Sequence, residues 1–288
     1  MSEAMTTAPV RDLSNDTALL SLNTATVCEQ WKLEQMIDGC VRHRIGAISP
    51  WRDQVEACGL DEAARRIKDA GLRVTGLCRG GMFPAADNAG LQANIDDNRR
   101  AIDEAVTLDA ECLVLVVGGL PAGSKNIAKA RDQVFDGLQA VLEHARSNRM
   151  PLAIEPLHPM YAAERACVNT MKQALDICDR LGIGTGVALD VYHVWWDPDL
   201  EEQIARAGRN GQLLAYHVCD WLVPTHDLLL DRGMMGDGII ELQKIRGWVE
   251  RAGYNGCCEV EIFSSRNWWK KDPDQVLETC VERHQSVV

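Results

Sequence analysis

Four short runs of this chain share one pattern: large apolar residues alternate with small ones, and a group able to bind a metal stands near the C-terminal end of each. The longest is Gly186-Val187-Ala188-Leu189-Asp190-Val191-Tyr192-His193-Val194-Trp195-Trp196. Strand side chains alternate sides, so Val187, Leu189 and Val191 face one way and Gly186, Ala188 and Asp190 the other. The stretch therefore reads as a buried strand that emerges into an open mouth. In Leu152-Ala153-Ile154-Glu155, Ala153 and Glu155 face in. His217 shares the inner face with Ala215 in Leu214–Val218, and Glu259 and Glu261 share it in the last run. Large residues outward and small ones inward suit a barrel wall packed against an outer ring of helices.

Strand and helix signals alternate along the rest of the chain. The pattern predicts strands over 18–27, 46–49, 73–78, 111–117, 152–155, 186–196, 214–218 and 257–263. Helices are predicted over 33–43, 60–70, 94–108, 126–148, 170–181, 199–207, 241–252 and 274–286. Gly182 follows the fifth of these, where a helix-terminating glycine belongs. Strands separated by helices imply parallel pairing with right-handed crossovers. Eight such units predict a single closed (β/α)8 barrel over 17–288. Gly118-Gly119 is too little for a dinucleotide-binding turn.

Composition changes this picture only at the edges. At 288 residues with 46% hydrophobic content, the chain can bury a large core. A net charge of −12 disfavours a broad nucleic-acid surface. No run of about 18 apolar residues is present, so no membrane span is expected. Residues 1–16 are polar and read as a flexible leader without a signal-peptide core. The eleven cysteines lack CxxC spacing, which fits reduced core residues and a cytoplasmic location.

In such barrels the C-terminal ends of the strands carry the chemistry. Glu155, Asp190, His217 and Glu261 fall there on strands five to eight, which are neighbours in the wall. Three carboxylates and an imidazole make a mostly oxygen site, suited to Mn²⁺, with Mg²⁺ or Co²⁺ as alternatives, over a structural zinc. A divalent ion on a carbonyl and a neighbouring hydroxyl would stabilise an enediolate, with a base beside the alpha proton. Glu259 rivals Glu261 but sits one layer deeper, where an arginine is its expected partner.

The stretches Ile154-Glu155-Pro156-Leu157-His158-Pro159, Leu189–His193, Tyr216–Asp220, Arg232–Gly238 and Val260–Phe263 resemble the sugar phosphate isomerase/epimerase family. These xylose-isomerase-like barrels include ketose 3-epimerases and inosose dehydratases. The resemblance implies a TIM-barrel fold, Glu155, Asp190, His217 and Glu261 as metal ligands, and a keto-sugar as substrate. It also implies that His193 contacts substrate and that Arg232 and the Gly236-Asp237-Gly238 loop line the site. Ketose epimerases pair two glutamates as ligands and acid/base, Glu155 and Glu261 here, and carry another acidic residue shortly after the first. This chain has His158 in that neighbourhood, an imidazole able to act as general base. The segment Glu155–Met160 is also similar to the catalytic subunit of C-glycoside deglycosidases. That likeness implies carbon–carbon bond cleavage in 3-keto C-glycosides and a smaller partner subunit.

Trp195-Trp196 and Trp268-Trp269 follow the sixth and eighth strands, where aromatics stack on sugars, anchor loops or form oligomer contacts. An oligomer is the expected state. Arg79, leaving the third strand before Gly80-Gly81, is a candidate for substrate binding or for capping a helix. His226 precedes Asp227 in a loop and reads as a site residue or a solvated one, while His43, His144 and His284 sit in helix patterns and are expected to be solvated. An apurinic-endonuclease-like activity would need histidines at the ends of strands three and four. Those ends read Cys78-Arg79-Gly80-Gly81 and Val117-Gly118-Gly119, so a nuclease is not expected.

Overall fold

The computed structural model describes residues 10–288. The strands, in chain order, are β1 (Leu20–Asn23), β2 (Ala47–Ser49), β3 (Arg73–Val74), β4 (Leu77–Gly81), β5 (Leu113–Val116) and β6 (Leu152–Ile154). They continue with β7 (Thr185–Asp190), β8 (Leu213–Val218), β9 (Asp220–Trp221), β10 (Arg232–Gly233) and β11 (Cys258–Val260). Nine of these form one parallel sheet in the order β3-β2-β1-β11-β8-β7-β6-β5-β4. The two end members are halves of a single stave interrupted at Thr75-Gly76. The Cys78 amide donates to the Pro50 carbonyl at 2.9 Å, and Trp51 bridges Cys78 in parallel, closing the ring. The result is the eight-stave α/β barrel that the alternation predicts. The small pair β9–β10 is antiparallel and stands outside it.

The alternation sorts the core into two layers. Ala153, Ala188, Ala215, Cys78, Cys112 and Val114 pack together inside the barrel. Leu152, Ile154, Val187, Leu189, Tyr216 and Val218 join the larger layer between staves and helices. Small inward residues at the mid-height of the staves leave room for the polar groups above them. The register between β7 and β8 slips after Val187, which pairs with Leu213, while Ala188 pairs with Ala215. The extra residue, Leu214, packs into the barrel interior. Gly186 is required opposite it, because a Cβ there would lie 2.7 Å from Leu214 Cγ.

Several boundaries differ from those expected. The run Gly186–Trp196 is a strand only to Asp190; Val191–Val194 form a short helix, capped by Asp190 Oδ1 accepting from the Tyr192 amide at 2.8 Å. The first strand stops at Asn23, whose side chain accepts from the Ala25 amide and turns the chain into a 3₁₀ turn, Thr24–Val27. An unexpected helix, Arg52–Cys58, buries only Val55, so no apolar period announces it. The helix expected from residue 94 begins at Asn88, capped by Asp87. Part of the expected leader is described: Leu13 is buried, and Arg11 pairs with Glu250 at 3.0 Å. Its first nine residues lie outside the described ones. His284 is wholly buried near Asp16, contrary to the solvated position expected of it, because its helix Pro273–Ser286 packs that face inward. Every cysteine is free. Among the described residues no helix is long and apolar enough to cross a membrane.

Gly137 lies in the helix Ile127–Ser147, where a Cβ would collide with the ring of buried Phe83. Alanine gains at most about 1 kcal/mol of helix propensity over glycine. Overpacking a tight contact costs about 1–3 kcal/mol. Gly137→Ala is therefore expected to lower the urea midpoint, and a raised midpoint would show that the contact yields freely.

Candidate metal centre

Glu155 follows β6, Asp190 ends β7, His217 lies near the end of β8 and Glu261 follows β11. Asp190 is level with His217 across the β7–β8 pair. Each of the four offers one atom to a cluster in which all such atoms lie within 4.8 Å of one another, and all four side chains are buried. His217 Nδ1 stands 3.2 Å from Glu155 Oε1 and 3.6 Å from Glu261 Oε2. Yet Nδ1 and Glu155 Oε1 each lack a hydrogen-bond partner. Buried polar atoms are seldom left so. An imidazole nitrogen and a carboxylate oxygen facing each other without a bond fit a shared cation, and three carboxylates with one imidazole fit a divalent one.

Glu259 is level with His217 in the β8–β11 pair, one layer beneath Glu261. Its partners are not an arginine. Asn23 Nδ2 donates to it at 2.8 Å, Thr75 Oγ1 at 2.7 Å, and His217 Nε2 lies 3.4 Å away. A carboxylate behind the far nitrogen fixes a ligand imidazole's tautomer and orientation. Burial alone would disfavour a charged imidazole. Glu259, Glu155 and Glu261 outweigh it and hold His217 well above its ordinary value. A cation that displaced the Nδ1 proton into solvent would leave Nε2–H directed at Glu259. Glu155 is pushed up to about 7, first by burial and then by the charges of Glu261 and Asp190. Burial also raises Glu261, but Arg232 and His217 overturn this and bring it to about 2.

Arg232, brought in by β10, is the buried counter-charge. Its Nη1 donates to Asp190 Oδ2 at 2.8 Å and to Glu261 Oε2 at 3.2 Å. Its Nη2 lies 3.2 Å from His193 Nε2. A guanidinium only donates, so His193 Nε2 accepts and its proton sits on Nδ1. Burial keeps this ring neutral, lowering it to about 3. His193 Nδ1 has no partner within the protein.

Above the cluster is a cavity of about 30 Å³, bordered by Glu155, Glu261, His193, Arg232, Tyr161 and Arg79, among others. With the bordering side chains as they stand, that is room for about one or two waters, and a sugar enters only as they move apart. His158 does not border it. Its ring stacks on Trp221 at 5.0 Å and its Nδ1 accepts from the Met160 amide at 3.3 Å. Trp195 and Trp196 belong to the same aromatic wall, and neither borders the cavity. Asp237 is exposed and holds its loop, accepting from the Met234 amide and from Trp268 Nε1. His226 is exposed as well. Asn23, Trp51, Tyr161 and Arg165 are the residues sequence reasoning missed. Only Trp51, just past β2, carried a positional signal. A wider hollow of about 1080 Å³ lies around Arg73, Glu111 and Pro151 at the opposite end of the staves, away from this chemistry.

An α/β barrel with a metal-competent acid and histidine set at the carboxyl ends of its staves is the class that fold and site together define. The chain belongs to the xylose isomerase-like TIM barrel family, whose profile matches residues 35–280. No match is found among curated proteins. Among solved structures it is similar to protein SMc04130 from Sinorhizobium meliloti 1021, with 62% identity, 94% of this chain and 99% of that chain covered, and a TM-score of 0.94. It shares its fold with the IolI protein solved with a bound zinc atom (20% identity, 93% and 97% covered, TM-score 0.78). A D-allulose 3-epimerase from Methylomonas sp. has the same fold (17% identity, 93% and 97% covered, TM-score 0.75).

Proposed function

We propose that this protein is a divalent-metal-dependent enzyme of carbohydrate chemistry that removes the proton beside the carbonyl of a keto-sugar, as sugar isomerases and epimerases do. The observation that carries the reading is the convergence of Glu155, Asp190, His217 and Glu261, with buried atoms facing one another unbonded. Structural neighbours that include a sugar epimerase support the substrate class. A divalent cation held there would act as a Lewis acid toward the oxygens on which charge develops. His193, fixed by Arg232, presents its Nδ1–H to a substrate oxygen. Glu155 and Glu261 both border the cavity and are the carboxylates available there to take a proton. His158 packs in the aromatic wall with Trp221 and Trp196, outside the residues that border the cavity. Apolar neighbours such as Val114, Val116, Leu157 and Phe263 exclude water from the reacting carbon.

The test is proton exchange. Manganese-loaded protein in D₂O, offered free ketoses, inososes and 3-keto glycosides, is expected to place deuterium beside the carbonyl of at least one. Absence of exchange in all of them, with metal bound, would overturn the reading.

A further inference from the structure

We propose that the molecule taken into this site carries an anionic group, a carboxylate or a phosphate, and that Arg79 and Arg165 receive it. The inference rests on the keto-sugar reading and narrows its substrate class.

Arg79 lies in β4, and Arg165 follows the turn Pro159–Tyr161. Both border the cavity above the metal-competent cluster. Both are partly buried, and Arg79 Nε is fully shielded with no hydrogen-bond partner. Three other buried or half-buried arginines are closely paired, while Arg246 and Arg283 have a carboxylate no nearer than 3.8 and 3.9 Å. Arg52 is bracketed by Asp97 at 3.0 Å and Glu104 at 2.6 Å. Arg232 is paired with Asp190 and Glu261, and Arg206 with Asp176 and Asp179. Arg79 is given no such carboxylate, although the chain has 42 acidic residues against 30 basic ones. Arg165 stacks its guanidinium over Tyr161 at 5.9 Å, which holds the group without neutralising it.

A cation withdrawn from water without a partner is costly. Two at one cavity repel as well. Burial and the Arg165 charge together hold Arg79 below its ordinary value. Such an arrangement is repaid by an incoming anion. The planar fork of a guanidinium matches a carboxylate or phosphate with two parallel bonds. The same two groups do little for a neutral sugar.

The experiment compares D-fructose, 5-keto-D-gluconate and D-fructose 6-phosphate as ligands of the manganese-loaded protein, by calorimetry and by the part of the tryptophan quenching that a Trp51→Phe control removes, since Trp51 borders the cavity. At least one anion is expected to bind about tenfold or more tighter than D-fructose, since hydrogen bonds between charged partners are stronger than those between neutral ones. Whichever anion wins separates carboxylate from phosphate. Arg79→Gln with Arg165→Gln should abolish the preference and leave manganese affinity intact. Should that double variant fold poorly by its melting curve, Arg79→Lys with Arg165→Lys retains point charges and should keep part of the preference. Equal binding of D-fructose, binding of neither anion, or a preference that survives in the glutamine variant would each overturn the proposal. Manganese titration of the wild type reports on the metal reading by itself. A protein that binds manganese without preferring anions sinks this inference alone.

Discussion

Glu155→Gln protein is expected to bind manganese at least about 100-fold more weakly than wild type and to lose nearly all proton exchange. Loss of a group behind a ligand already costs about 10–100-fold in metal affinity, and Glu155 stands in the ligand cluster itself. The amide is nearly the same size, so the fold should persist. The charged carboxylate is unfavourable at this position, being pushed up to about 7 by burial and then by Glu261 and Asp190. Its removal therefore costs the metal-free protein little. The two effects separate in melting curves. Wild type should gain about 2.7 kcal/mol at a hundredfold excess of manganese over its Kd, and the variant almost nothing at the same concentration. A variant that holds manganese as tightly as wild type would remove Glu155 from the site.

The second large effect concerns stability. Arg232→Gln should destabilise the metal-free protein by about 3–5 kcal/mol near neutral pH, the cost of stripping one partner from a buried ion pair. Asp190 and Glu261, both buried, would be left without their guanidinium. The pH dependence follows from Glu261, which Arg232 helps to hold at about 2 against an ordinary 4.5. A depressed carboxylate contributes stability above its unfolded value and loses it as pH falls through its folded value. The deficit of the variant should thus be full above pH 4.5 and shrink toward pH 2. Urea midpoints measured across that range give the answer. A deficit that does not change with pH would mean that Arg232 acts by packing over Tyr192 and Phe263, not by charge.

The staves were legible because each is an apolar run with its own turn, and the four clustered groups because each closes such a run. Glu259 could be placed a layer below Glu261 by counting in twos along the strand. Its partners could not, since Asn23 and Thr75 come from staves far away in sequence and a neutral amide carries no metal signature. The break at Thr75-Gly76 was equally hidden: Val74 and Leu77 are both apolar and read as one strand. Asp190 illustrates a local override. Its side chain caps the following turn, so Val191 leaves the strand although the alternation continues through it. Three residues from Glu155, His158 is carried by the turn onto Trp221 and away from the cavity. Arg165 lies in irregular chain, where no period marks which side chains turn inward.

Anomalous diffraction at the manganese edge, from crystals grown with the metal, addresses the central claim most directly. One strong peak is expected, enclosed by Glu155, Asp190, His217 and Glu261. Density for manganese only at surface carboxylates, with that enclosed space featureless, would contradict the account.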